Sequence, residues 1–143
     1  MQTVNTASIT ELEPLLERAR QARLRAYAPY SKFFVGAAVQ ARDGRIFEGC
    51  NVENAAYGLC NCAERSALFA AVSAGCRPGD FVALAVVGDC EGPISPCGAC
   101  RQVIFELCEG DMPVLLGNLQ QARQATTVAT LLPGGFGPSD LGH

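Results

Sequence analysis

Residues 33–47 read Phe33-Phe34-Val35-Gly36-Ala37-Ala38-Val39-Gln40-Ala41-Arg42-Asp43-Gly44-Arg45-Ile46-Phe47, and this stretch decides the architecture. Phe33 to Ala41 is apolar almost without alternation, the pattern of a strand covered on both faces. Asp43-Gly44 is a two-residue hairpin signal that returns the chain through Ile46-Phe47. A strand buried on both sides needs helices above and below it, and the flanking sequence supplies them. Upstream, Leu12, Leu15, Leu16, Ala19, Ala22 and Leu24 form the apolar side of a helix running to about Ala26. Ser8 or Thr10 is its expected cap, with Pro14 in the first turn, where a missing N–H does little harm, and Pro29 beyond its end. Downstream, Asn51 to Asn61 reads as a loop and Cys62 to Ala74 as a helix ended by Gly75. Phe81 to Val87 is a further buried strand. Pro93 and Pro96 break the next loop, before a short helix from Cys97 to Cys108. Met112 to Leu116 and a segment around Thr127 to Leu132 are the expected later strands. Gly117 to Ala125 reads equally as a turn or as a partner-facing loop. The order predicts an α/β protein, a mixed sheet between helices.

Composition narrows the class. The chain has 143 residues, 49% hydrophobic and 17% charged, which suits one domain over 1–143 with a substantial core. The formal net charge is −3 and the basic residues are scattered, so no surface is offered to a nucleic-acid polymer. Arg18, Arg20, Arg23 and Arg25 do cluster, but beside Glu11, Glu13 and Glu17 on the first helix, as a solvated face. Met1 to Thr10 lacks a targeting pattern, and no apolar run is long enough to span a membrane. A cytoplasmic location is the expectation. There, eight cysteines point to metal ligation and plain burial rather than to disulfides.

Two segments carry chemistry: Cys62-Ala63-Glu64-Arg65 and Pro96-Cys97-Gly98-Ala99-Cys100. Each places cysteine at the expected start of a helix, where free N–H groups and the helix dipole favour thiolate, the zinc-binding form. Cys97 and Cys100 are three apart and face one ion from a single turn. With Cys62 they make three soft ligands for one Zn²⁺ per chain and leave the fourth position for water, the arrangement of a catalytic site. Glu64, two residues from a ligand in an otherwise apolar helix, is placed to shuttle protons. Arg65 is placed to donate to sulfur and offset the negative charge of three thiolates on one zinc. A closed structural site of Cys60, Cys62, Cys97 and Cys100 is the rival; it would leave Glu64 without a task. Cys50, Cys60, Cys76, Cys90 and Cys108 are assigned no role. The sole histidine is His143, so Ser-His and Cys-His nucleophile schemes have no member to build on.

The segments Tyr30-Ser31-Lys32-Phe33, Val35-Gly36-Ala37-Ala38, Gly49 to Tyr57, Cys62 to Arg65 and Ser95 to Gln102, with the tail Leu131 to Pro138, resemble the small homotetrameric cytidine deaminases. The likeness runs from about Tyr27 to Leu141. It implies a three-layer α/β/α fold with a central mixed five-stranded sheet. It also implies zinc-dependent conversion of cytidine and deoxycytidine to uridine and deoxyuridine, in pyrimidine salvage. Carried over by position, Cys62, Cys97 and Cys100 would bind zinc and Glu64 would move protons. Asn51 and Glu53 would bond the ribose 3′-hydroxyl. Phe33 would lie against the cytosine ring, and main-chain groups near Ala63 and Pro96 would hold its polar edge. Ala55, Tyr57 and Phe136 would complete a neighbouring subunit's pocket in the tetramer. Phe34 departs from the proline or polar residue common in relatives, a change of local packing away from the zinc site. Deaminases of cytosine-containing antibiotic nucleosides such as blasticidin S share the zinc motifs but depart in the sugar loop, and here Asn51-x-Glu53 is intact. A polynucleotide-editing deaminase would need the basic groove that this chain lacks.

Overall fold

The computed structural model describes residues 6–143. Five strands, β1 (Val35–Ala41), β2 (Ile46–Cys50), β3 (Phe81–Gly88), β4 (Pro113–Asn118) and β5 (Arg123–Thr127), form one sheet in the order β2-β1-β3-β4-β5. β1 runs antiparallel to β2 and β3, β3 and β4 are parallel, and β5 returns antiparallel to β4. Helix α1 (Thr6–Arg23) covers one face, while α2 (Ala63–Ser73), α3 (Gly98–Leu107) and the short α4 (Val128–Leu131) cover the other. The expected mixed five-stranded α/β sheet is therefore present, with a helix layer on each side.

Alternation along β1 shows how the layers are assembled. Val35, Ala37 and Val39 join the core under α2 and α3 together with Leu84, Val86, Val114 and Leu116. Ala38 points to the opposite core, with Leu15, Leu16 and Ala19 of α1 and Ala85, Val87 and Leu115 of the sheet. Both faces are dry, which is why the strand sequences carry so little polar alternation. Two glycines let the helices sit close to the sheet. A Cβ on Gly36 would lie 1.9 Å from the Ala19 carbonyl oxygen in α1, and one on Gly49 would lie 2.3 Å from the Ala67 nitrogen in α2. Gly36→Ala is accordingly expected to destabilise the fold by about 3 kcal/mol or more, because helix backbone has to move. Thermal denaturation checks this, and an unchanged Tm would contradict the packing described.

Four expectations need correction. Asp43-Gly44 returns the chain through the three residues 42–44 rather than a two-residue turn: the Gly44 N–H bonds the Ala41 carbonyl, Gly44 is left-handed at φ 94°, and the Asp43 carboxylate accepts from the Arg45 N–H. α1 already contains Ser8 and Thr10, so neither caps it, and Pro14 lies inside the helix. The face that Leu15, Leu16, Ala19 and Ala22 bury against the sheet outweighs the missing proline N–H. At its other end α1 tightens: Leu24, Arg25 and Ala26 donate to carbonyls three residues back rather than four. That turn rotates Leu24 out of the apolar stripe to 72% exposure. Finally, β5 occupies Arg123–Thr127, and the segment expected to be a strand beyond Thr127 is α4, whose first turn is capped by the Thr127 hydroxyl accepting from the Thr130 N–H. The undecided stretch 117–125 is the end of β4, a turn and most of β5. Phe34 packs beneath the Arg23 guanidinium, 6.0 Å from ring centroid to Cζ.

Candidate metal centre and active site

α2 and α3 point their N-termini at one another, each entered through a cysteine in extended conformation, Cys62 and Cys97. The Sγ atoms of Cys62, Cys97 and Cys100 all lie within 4.8 Å of one another, and the Cys62–Cys97 pair is 3.8 Å apart. Two sulfurs each about 2.3 Å from a tetrahedral zinc stand about 3.8 Å apart, so the spacing fits that ion. The Cys97 sulfur accepts the Cys100 N–H at 3.5 Å, while the Cys62 side chain makes no capping bond and is free to turn toward the cluster.

The charges are arranged around the same point. Cys62 is lowered to about 5, first by a hydrogen bond from Cys100 and then by Arg65, whose Nη2 donates to its sulfur at 3.4 Å. Cys100 is pushed up as the partner that keeps the shared proton and is buried. Arg65 is held above its ordinary value by hydrogen bonds to these sulfurs, and its Nε is buried with no partner among the described residues. Glu64 is 3% exposed, and burial raises its carboxyl to about 6. A carboxyl poised there exchanges protons readily near neutral pH.

A cavity of about 420 Å³ opens onto this cluster, lined by Phe33, Val35, Asn51, Cys62, Ala63, Glu64, Cys90, Pro93, Ile94, Ser95 and Cys97. Its size suits a small organic ligand. Phe33 reaches it from a loop in which Lys32 takes a left-handed conformation, φ 59°. The Asn51 amide clamps that loop to β1, accepting from the Val35 N–H and donating to the Phe33 carbonyl, both at 2.8 Å. Ala63 is fully buried at the first position of α2.

The other expected site residues stand elsewhere. Glu53 lines a separate depression with Tyr30, Ser31, Tyr57 and Cys60. Its carboxylate accepts from the Tyr30 and Ser31 N–H groups and from the Ser31 hydroxyl, and the last of these does most to hold it below the usual range. Ala55 is exposed, as are Tyr57 (73%) and Phe136 (57%), and none of the three lines the cavity at the sulfur cluster. Cys60 faces away from the cluster: its sulfur accepts from the Asn54 N–H and donates to the Asn54 carbonyl. Among the described residues the sulfur cluster has three members, so the four-cysteine alternative is not formed.

Sequence reasoning missed the wall made by Cys90, Pro93, Ile94 and Ser95. Proline-broken loops carry no periodicity, and this one is held by bonds to Gly117 and Asn118, residues distant in sequence at the end of β4. Gly88 was missed as well. A Cβ there would sit 2.6 Å from Ile94 Cδ1 and 3.2 Å from Phe33 Cζ, so the bare backbone leaves these two side chains their places.

Comparison with known proteins gives a consistent result. Residues 9–116 match the family described as the cytidine and deoxycytidylate deaminase zinc-binding region. A cytidine deaminase of Sporosarcina psychrophila is 59% identical over 93% of this chain and 96% of its own length. A cytidine deaminase of Halalkalibacterium halodurans is 57% identical over 89% of this chain and 95% of its own. The crystal structure of a cytidine deaminase from Burkholderia pseudomallei superposes with a TM-score of 0.85 at 58% identity, covering 87% of this chain and 98% of that one.

Proposed function

The chain belongs to the cytidine and deoxycytidylate deaminase family of zinc-binding enzymes, and we propose that it hydrolyses cytidine and deoxycytidine to uridine and deoxyuridine with release of ammonia. One observation carries this reading: three clustered cysteine sulfurs and a buried carboxylate meet at the wall of a cavity of nucleoside size.

Cys62, Cys97 and Cys100 are the residues that would hold zinc, and the chemistry such an ion would supply is a water whose pKa falls to about 7, a nucleophile at neutral pH. Glu64 takes the proton from the water that adds to C4 of the base and delivers it to ring N3. It then takes the remaining proton of that water, now on the C4 hydroxyl, and delivers it to the amino nitrogen, which leaves as ammonia while the C4 carbonyl forms. Burial keeps the Glu64 carboxyl near the pKa at which both transfers are easy. Arg65 holds the Cys62 sulfur and balances the thiolates. Phe33 and Ala63 flank the ring.

Asn51 and Glu53 serve the sugar. An ionised carboxylate has about four acceptor positions, and the loop at Tyr30 and Ser31 takes three of them on Glu53. One is left for a hydroxyl. Glu53→Gln is expected to raise KM for cytidine by about tenfold to a hundredfold with a smaller change in kcat, because the ribose loses a charged acceptor. Steady-state kinetics on cytidine, deoxycytidine and the free base check this. An unchanged KM for both nucleosides would remove Glu53 from the site. Turnover of blasticidin S but of neither natural nucleoside would shift the substrate class.

Exposed Ala55, Tyr57 and Phe136 are the side chains that a neighbouring copy receives, in a homotetramer whose active sites are shared. Among the described residues no helix is long and apolar enough to cross a membrane. A small nucleoside substrate fits a cytoplasmic enzyme of pyrimidine salvage built as one domain.

A further inference from the structure

Asn118, at the end of β4, is 2% exposed and is one of few buried polar side chains among the described residues. Its amide is engaged at both ends. Oδ1 accepts from the Gln120 and Ala122 N–H groups, each at 3.0 Å, and closes the turn into β5. Nδ2 donates to the Cys90 carbonyl at 3.0 Å and to the Glu91 carbonyl at 2.8 Å, in the loop between β3 and α3. Next to these, the Ile94 N–H donates to the Gly117 carbonyl. The loop so held carries Cys90, Pro93 and Ile94, one wall of the cavity.

A second side chain holds the same loop farther along. Arg101 Nε donates to the Pro96 carbonyl, Nη2 to the Ser95 hydroxyl and Nη1 to the Leu131 carbonyl. Arg101 thus fixes the entry to α3 and with it Cys97, while Asn118 fixes the part that faces the ligand but holds no metal-binding sulfur. The two anchors separate two tasks, and a buried amide with all four bonds made is rigid.

We propose that Asn118 is a positioning residue that sets the cavity wall at residues 90–94 for the nucleoside, without acting on the zinc ligands. This rests on reading the cavity as the substrate site, so its test needs a readout that requires no substrate, and Cys90 provides one. Its sulfur donates to the Gly92 carbonyl at 3.3 Å, and burial with the neighbouring Asp89 charge holds the thiol above its ordinary range. Alkylation of Cys90 in the intact wall is therefore slow.

The decisive variant is Asn118→Asp, which keeps the acceptor oxygen toward the turn and replaces the two N–H donors toward the loop. Arg123→Ala is the control. Its guanidinium donates to the Asn118, Gln120 and Ala122 carbonyls and pairs with Glu13, so its loss loosens the same turn, the Asn118 main chain included, and leaves the side-chain bonds from Asn118 to the loop intact. In zinc-loaded protein, Asn118→Asp is expected to raise the iodoacetamide rate at Cys90, followed by peptide mass spectrometry with Cys50 as reference, by about tenfold. KM for cytidine should rise by a similar factor with kcat within about threefold, at unchanged zinc content. Arg123→Ala should lower Tm yet leave labelling and KM at wild-type values. If the buried carboxylate prevents folding, neutral Asn118→Ser enters the same comparison. Equal labelling and KM for the Asn118 variant and wild type would overturn the proposal, as would effects in both variants that follow Tm alone. Faster labelling in a protein that turns over no cytidine would retain the anchor and reject the substrate reading.

Discussion

Glu64→Gln is expected to lower kcat by about 10²–10⁴-fold while the protein keeps its zinc and its fold. The amide has the shape of the carboxylate but can neither take a proton from water nor return one to N3 and the leaving nitrogen. Three structural facts make the prediction sharp. The carboxylate is 3% exposed, so water does not replace it easily. Its charge is opposed by burial and by the Cys62 thiolate, so a neutral side chain at this position leaves Tm unchanged or higher. Glu64 is also absent from the sulfur cluster, so zinc content, read by atomic absorption, should equal that of wild type. Near-normal kcat in a zinc-replete Glu64→Gln protein would remove Glu64 from the proton path.

The second large effect belongs to the sulfurs. Cys100→Ser is expected to abolish zinc retention and to lower Tm, because a hydroxyl is a poor zinc ligand and Cys100 is fully buried between its two partners. Adding a chelator to wild type should bring its Tm down toward that of Cys100→Ser, whose own Tm the chelator should not move. Cys60→Ser provides the contrast. The Cys60 sulfur is committed to the Asn54 backbone, so this variant should retain zinc and activity in full. Loss of zinc in Cys60→Ser would revive the closed four-cysteine site and contradict the open one described.

The parts of the fold that were legible in the sequence are those with a short-range physical cause. Val35 to Ala41 is buried on both faces, and Asp43-Gly44 does return the chain into β2, through a three-residue loop with Gly44 left-handed rather than through a two-residue turn. Cys62 and Cys97 sit at helix starts because the chain enters both helices extended there. The misread parts depend on distant partners. Pro14 stays inside α1 because a whole helical face is buried against the sheet. The strand at 123–127 forms because Asn118 closes the turn and Arg123 reaches Glu13, a residue about a hundred positions away. The site divides the same way. The cysteines, Glu64 and Arg65 lie within two short segments and could be read as chemistry. The wall at Cys90, Pro93 and Ile94 is positioned by Asn118 and Gly117, from a strand that nothing local relates to it. Of the two residues expected at the sugar, Asn51 lines the cavity and Glu53 does not, nor do Ala55, Tyr57 and Phe136, which were expected in a neighbouring subunit's pocket. Their expected roles came from resemblance, and in this chain by itself those side chains face outward or into a second depression.

The most direct test of the central claim is to incubate zinc-loaded protein with cytidine and follow ammonia release together with the ultraviolet change from cytidine to uridine, beside Glu64→Gln at equal zinc content. The account predicts ammonia and uridine in equal amounts from wild type and almost none from the variant. One tightly bound zinc per chain with no loss of cytidine, or equal turnover by both proteins, would contradict it.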